Sequence, residues 1–341
     1  MQAERTRCPQ TGADVCAVLV TYHPDATFAA QLGGVLRQVA AVIIVDNGST
    51  EIELRMLRGV AANPAVELVF NAENLGIARG LNIGIQRAIA RGYRWALLLD
   101  QDSRIDLDMV PTLLATYAAY PDRERLAIIG SGFREICGHS PEPAGRRGRG
   151  GATPAASHGE SWVSAESVIT SGSLLPLATY AVVGPFREEF FIDHVDTDYC
   201  FRARAKGYLV IKTRRPLMSH AIGAPTQHQL LWMNKWTTNH TADRRYYIAR
   251  NGTVVLREYG HYAAGLWALK SLARCFRLCK RIALYENDRA GKIAAVALGF
   301  WDGMLGNMGP RGRRRDGSAP DSPVPRSTRE RQVAGRSGDV P

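Results

Sequence analysis

The sequence predicts an α/β fold: a mostly parallel sheet flanked by helices, with a helical extension at its C-terminal end. Three observations predict it. Short, near-continuous apolar runs alternate with longer helical stretches through the first hundred residues, the pattern of strands buried on both faces. Four of these runs close on polar residues: Thr21-Tyr22, Asp46-Asn47, Asn71 and Asp100 to Asp102. In parallel sheets ligands bind at the carboxyl ends of strands, so these ends point to one shared crevice. From residue 240 onward the pattern is helical until Gly, Pro, Ser and Arg take over.

Each element follows in order. "VCAVLVTYH" (15–23) is β-branched and short, as a buried strand should be. "ATFAAQLGGVLRQV" is the helix behind it, and "AVIIVDNGST" (41–50) is the second strand and its turn. "EIELRMLRGVA" predicts a helix, "AVELVFN" a third strand, and "IARGLNIGIQRAIARGY" a further helix. "RWALLLDQDS" is the fourth strand. Beyond residue 125, "LAIIGSGF" predicts a strand, and the Gly/Pro/Arg-rich segment 138–159 a mobile surface insert. "SWVSAESVITSGSLLPLATYAVVG" returns to strand, turn and short helix. A cluster of acids then precedes the helix "TDYCFRARAKG", a strand follows, and "LMSH" closes it.

At 341 residues, 45% apolar and 22% charged, the chain is long and apolar enough for a sizeable core. Its net charge of +11 suggests an anionic partner: nucleic acid, an acidic membrane surface or a phosphorylated ligand. Much of the excess lies in the insert ("RRGRG") and the tail ("RGRRR"). A nucleic-acid-binding protein would instead interleave basic and aromatic residues on a folded surface. The six cysteines include no CxxC pair, and Cys275/Cys279 has helical spacing without nearby His ligands. Reduced thiols fit better than a disulfide framework or a zinc site. The polar start "MQAERTRCPQTGAD" carries no signal peptide, and no run approaches the roughly 18 apolar residues that span a bilayer.

The carboxylates carry the chemistry. Asp100 and Asp102, spaced i and i+2, can hold a hard divalent cation through oxygen ligands. On a strand their side chains would share a face. The competing reading is local: Asp102 or Ser103 caps a helix beginning near Arg104. "NAENLGIARGLNIG" (71–84) is a Gly/Asn-rich turn entering a helix, whose first N–H groups, with Arg79, are placed to face phosphate. In "FFIDHVDTDYC", Asp193, Asp196 and Asp198 follow three apolar residues. One of them in a partly apolar crevice is a candidate general base, and one is expected to cap the helix at 198–206. His220 ends a strand and is either structural or a metal ligand.

Together and in this order, "VTYHPD", "IIVDNGST", "NAENLGIARGLNIGI", "GYRWALLLDQDS", "ITSGSLLPL", "FFIDHVDTDYCFRARAKGY" and "RRYYIARN" resemble the family 2 glycosyltransferases, across residues 15–255. They look most like bacterial rhamnosyltransferases of surface-polysaccharide (O-antigen type) biosynthesis. The resemblance implies the Rossmann-like GT-A fold and an inverting single displacement, with Mg²⁺ or Mn²⁺ and a nucleotide-diphosphate-sugar donor, dTDP-β-L-rhamnose. A UDP-hexose or UDP-galactofuranose donor is the alternative. Thr21, Tyr22 and Asp46 would hold the nucleoside, with Asn74 and Arg79 near the ribose or diphosphate. Asp100 and Asp102 form the Asp-x-Asp motif, Asp102 being the expected direct ligand, and His220 matches a position that ligates metal in some relatives. Asp196 matches the family's base. Val195 stands where many members carry an acid, which leaves Asp193 as the alternative base, and Asp198 would orient acceptor hydroxyls.

The implied organisation is a flexible 1–13, a GT-A catalytic domain 14–237 with its flexible insert 138–159, a helical region 238–308 and a disordered tail 309–341. The implied acceptor is a polyprenyl-diphosphate-linked glycan at the cytoplasmic face of the inner membrane, with no nucleic-acid partner. In "GLWALKSLARCFRLCKRIALYE", Lys270, Arg274, Arg277 and Arg281 share one helical face and Leu272, Phe276, Cys279 and Ala283 lie roughly opposite. Such a helix either lies on an anionic membrane or docks on its own domain. A nucleotidyltransferase also uses an α/β sheet and an acid-held metal. It would be expected to carry a Gly-rich loop with a basic residue after the first strand, where this chain has "TYHPDATF".

Overall fold

Four parallel strands form one half of the sheet: β1 (Val15–Thr21), β2 (Ala41–Asp46), β3 (Val66–Phe70) and β4 (Trp95–Asp100), in spatial order β3-β2-β1-β4. Helices α1 (Thr27–Leu36), α2 (Glu51–Val60) and α3 (Ile77–Ala90) make the crossovers. The computed structural model describes residues 12–135, 161–220, 226–230, 233–237, 239–260 and 266–311. The expectations placed on residues 1–11, Cys137, the insert 138–159 and residues 312–341 lie outside them.

Near-continuous apolar strands bury both faces here. Cys16, Val18 and Val20 of β1 join Ile43 and Val45, Ala96 and Leu98 in one core layer under α3. The alternate residues Val15, Ala17 and Leu19 join Val42, Ile44, Leu97 and Leu99 in the other, under α1. The period of two sends successive side chains to opposite layers. On α3, glycine permits close approach: a Cβ at Gly84 would lie 2.3 Å from Val18 Cγ1.

The second half of the sheet is mixed. It contains β5 (Arg104–Ile105), β6 (Leu126–Glu135), β7 (Trp162–Ser164), β8 (Ser173–Pro176) and β9 (Leu209–His220). The order continues from β4 as β8-β6-β9-β5. β8 runs antiparallel between β4 and β6, while β6 and β9 pair in parallel. The antiparallel pairings are short, so the sheet is mostly parallel along its length. No helix begins at Arg104; Arg104 and Ile105 pair with Ser219 and Met218, and α4 starts only at Met109 (Met109–Ala119). Beyond β8 come α5 (Leu177–Val183) and α6 (Val195–Ala205); β10 (Thr226–Leu230) and β11 (Met233–Thr237) form a separate hairpin.

The C-terminal region is helical: α7 (Ala242–Tyr259), α8 (Leu266–Tyr285) and α9 (Arg289–Leu305). Val254 and Val255 of α7 belong to the same core layer as β1 and α3, so these helices are built onto the sheet. Among the described residues no helix is long and apolar enough to cross a membrane.

Candidate active site

The parallel register aligns the strand ends: Thr21 pairs with Asp46 and Val20 with Asp100. With order β3-β2-β1-β4, the crossovers leave β1 in opposite directions, which opens a crevice at this edge. Asp46 is fully buried there. Its Oδ1 accepts from Thr21 Oγ1 (3.0 Å) and Ser49 Oγ (2.5 Å), and its Oδ2 from the amides of Gly48 (3.1 Å) and Ser49 (2.9 Å). Four donors fill the four lone-pair positions of a carboxylate. Thr21 and Asp46 therefore shape the turn. Tyr22 is the exposed member, 47% accessible. Gln101 fixes it, accepting from Tyr22 N (2.8 Å) and donating to Tyr22 O (3.2 Å).

Asp100 is the last residue of β4, half-buried, and Asp102 is exposed in the turn that follows. The expectation of a shared strand face fails, because the strand has already ended: Ser103 N donates to Asp100 O (3.2 Å) and closes a tight turn over Gln101-Asp102. Ser171 braces it, accepting from Asp100 N (3.1 Å) with its Oγ 2.6 Å from Ser103 Oγ. The two carboxylates leave one tight turn. His220 is the last residue of β9 and its side chain lies outside the described residues. The β5–β9 register, extended by one residue, sets its backbone opposite Ser103, beside the same turn. Among the described residues no group of three acid, His or Cys side chains could hold a metal. Two carboxylates suit a hard cation that takes its remaining ligands from water and a diphosphate, as Mg²⁺ sites commonly do.

The start of α3 serves the chain itself. Asn74 Oδ1 accepts from Gly76 N (2.9 Å), and Ile77 N donates to the Phe191 carbonyl (2.8 Å). The first amide of α3 thus faces the acid-bearing loop, where an open phosphate cradle was expected. Gly76, at φ +85°, is required: a Cβ would lie 2.6 Å from that same carbonyl. Arg79 faces Glu188 at 3.7 Å, an exposed pair of the kind worth under about 1 kcal/mol. Asn82, one turn on and buried, donates to Phe186 O and accepts from Tyr180 Oη and Phe186 N. Arg79 and Asn82 thus tie α3 to the segment that leads into the acids.

That segment is strained. Phe191, Asp193 and His194 all take positive φ (65°, 61° and 62°), although none is glycine. Two consecutive residues of α7 hold it. Asn251 Nδ2 donates to the carbonyls of Phe190 (2.9 Å), Ile192 (2.7 Å) and Asp193 (2.9 Å). The fully buried Arg250 donates to Glu189 O and Phe190 O and, through Nε, to Asn251 Oδ1. Sequence reasoning included "RRYYIARN" among its motifs but did not find this role. The available signal is two adjacent polar residues between the apolar stretches "YYIA" and "VVL" of one helix.

The loop delivers its three acids differently. Asp196 lies in the first turn of α6 and is half-buried. Burial pushes its carboxyl above the ordinary carboxylate range; the Thr197 amide, donating at 2.7 Å, pulls it down, and the charge of Asp193 pushes it up again. Asp193 is also raised by burial, against the pull of Arg244 at 3.2 Å. Asp198 is fully buried, bonded by Arg187 Nη1 (3.2 Å), Tyr259 Oη (2.8 Å) and Arg202 Nε (2.9 Å). It anchors α6 and is out of reach of an acceptor hydroxyl, contrary to expectation. None of the three caps the helix, which begins at Val195 with His194 as its N-cap and no side-chain cap bond. Burial and the Arg274 charge push His194 down to about 3. It is therefore neutral, and its Nε2 accepts from Arg274 Nη2 of α8 at 2.8 Å.

A parallel sheet with acids at its carboxyl edge, and a second acid pair on a braced loop, defines a GT-A-type transferase architecture. The chain belongs to glycosyltransferase family 2. The sequence model described as "Glycosyl transferase family 2" matches residues 16–128. Over 253 residues the chain is 31% identical to the dTDP-rhamnosyl transferase RfbF of Shigella flexneri, covering 72% of this chain and 81% of that one. Among solved structures, the mannosyltransferase PcManGT from Pyrobaculum calidifontis, in complex with GDP-Man and Mn²⁺, matches with TM-score 0.54 at 12% identity, over 89% of this chain and 92% of that one. GalNAc-T7 with UDP, GalNAc and Mn²⁺ matches with TM-score 0.54 at 12% identity, over 85% of this chain and 56% of that one. At such identity the structures speak for the GT-A fold.

Proposed function

We propose that the chain is an inverting rhamnosyltransferase. It moves L-rhamnose from dTDP-L-rhamnose to a hydroxyl of a lipid-linked glycan in cell-surface polysaccharide assembly. The likeness to RfbF, over most of both chains, supports the donor. One observation carries the chemical reading: a carboxyl raised by burial, on a strained loop fastened to the start of α3. A sugar hydroxyl is a poor nucleophile, and a base with an elevated pKa is suited to take its proton. In this reading Asp196 is that base, with Asp193 the alternative. Asp196 takes the proton as the hydroxyl oxygen bonds to the anomeric carbon from the face opposite the diphosphate, and the bond to the diphosphate oxygen breaks with inversion.

Asp100 and Asp102 would hold Mg²⁺ or Mn²⁺, with His220 as a third ligand; when bound, the cation offsets charge on the departing diphosphate. Tyr22 offers its exposed ring to the nucleoside, Thr21 and Asp46 set the turn beside it, and Asn74 and Arg79 border the ribose and diphosphate side. The chain acts at the cytoplasmic face of the inner membrane. Helix α8 docks through Ser271, Cys275 and Ile282 and leaves Leu269, Leu272 and Phe276 more than half exposed, a row suited to a lipid surface. The test is Asp196→Asn: donor binding stays near the wild-type value while turnover collapses by about 10³-fold or more, at the level of a lost base. Near-normal turnover would remove Asp196 from the role.

A further inference from the structure

A cleft of about 340 Å³ opens between α7 and α8, lined by Leu256, Lys270, Ala273, Arg274 and Arg277. Its size falls in the lower part of the range of ligand clefts, roughly 300–1,000 Å³. Three of its five lining residues are cationic; burial is the main force pushing the Arg274 pKa down, with the charge of Arg277 acting the same way and that of Asp193 against it. Three cationic side chains on the wall of one cleft suit an anionic ligand. Arg274 ties the cleft to the acid loop, because its Nη2 reaches both His194 Nε2 (2.8 Å) and Ile248 O (3.2 Å). The route is cut for it: a Cβ at Gly252 of α7 would lie 1.6 Å from Arg274 Nη1. His194 stands between Asp193 and Asp196 in sequence and caps the helix that carries Asp196. An anion in the cleft therefore sits one side chain away from the acids.

We propose that this cleft binds the diphosphate of the acceptor, so that the sugar next to that diphosphate presents its hydroxyl toward the acid loop. The inference rests on the lipid-linked acceptor reading and names where the acceptor's charged group is held. Lys270 and Arg277 supply the outer charges. Arg274, which leaves the cleft to bond His194, is a positioning residue for the loop.

The test is calorimetric titration of the full chain in EDTA with farnesyl diphosphate, farnesol and phosphatidylglycerol vesicles as probes. Farnesyl diphosphate is expected to bind at least tenfold more tightly than farnesol, and to do so equally with saturating dTDP present. Lys270→Gln/Arg277→Gln, both at exposed positions, is expected to weaken binding at least tenfold with the melting temperature kept. Ala273→Phe, which fills the cleft without changing charge, is expected to do the same. No binding of farnesyl diphosphate, displacement by dTDP, or unchanged affinity in both variants overturns the proposal. So does a loss confined to vesicle binding, which would assign the cations to a lipid surface. Binding is read without donor or turnover, so a wrong donor assignment leaves a positive result standing. A negative result likewise leaves the transfer reading standing.

Discussion

Asn251→Ala should separate the fold from the chemistry. Asn251 is fully buried on α7 and donates to three carbonyls of the acid-bearing loop at 2.7–2.9 Å. The Nδ2 group has two N–H donors shared among the three carbonyls, so at about 1 kcal/mol per bond the clamp contributes about 2 kcal/mol. Three non-glycine residues at positive φ cost about 1 kcal/mol or more each, so clamp and strain are of similar size. Removing the clamp lets the loop relax at little cost to α7, since alanine is a better helix former than asparagine. About 2 kcal/mol corresponds to roughly one and a half decades in rate. The expected result is a fall in kcat of about 30-fold, with hydrogen exchange rising at residues 191–196 and far-UV circular dichroism unchanged. A kcat within about threefold of wild type, with exchange unaltered, would refute the clamp.

Three further outcomes follow from the same geometry. The acid limb of the kcat profile should lie above the ordinary carboxylate range, because burial raises Asp196; Asp193→Asn, which removes a neighbouring negative charge, should move that limb to lower pH. Asp196→Asn should gain stability over wild type as pH rises: a carboxyl whose folded pKa is raised keeps its proton to higher pH in the native state than in the unfolded chain, so its ionisation costs stability as pH climbs from the unfolded to the folded value; paired melting curves at low and neutral pH check the sign. Gly84→Ala places a Cβ 2.3 Å from Val18 Cγ1 and should destabilise by about 1–3 kcal/mol in denaturant melts, with Val18→Ala restoring part of the loss.

The first half of the sheet was legible in the sequence because each strand is a short apolar run; β1, β2 and β3 pair with the next run or the one before, and β4 pairs back with β1. The strand-end polar residues were legible for the same reason: Thr21, Asp46 and Asp100 close runs that the parallel register aligns. The second half was not. β5 is two residues long and pairs with β9 more than a hundred residues away, and nothing local distinguishes it from a helix start. The acids at 193–198 were legible as a cluster but not in their division of labour. Asp198 is separated from Asp196 by its partners Arg187, Arg202 and Tyr259, which arrive from different parts of the chain. The positive φ of Phe191, Asp193 and His194 has no glycine to announce it; it is imposed from α3 and α7. On α8 the basic row divides: Arg274 turns inward to His194 while Lys270, Arg277 and Arg281 stay exposed.

The most direct test of the account is a donor screen. Nucleotide release is measured from dTDP-L-rhamnose, UDP-glucose and UDP-galactose, each with and without Mn²⁺, on the wild-type chain and on Asp102→Asn. The account predicts release from dTDP-L-rhamnose that requires the cation and is lost in the variant. Release from a UDP-sugar with none from dTDP-L-rhamnose would contradict the donor assignment, and cation-independent release would contradict the role given to the turn at Asp100 and Asp102.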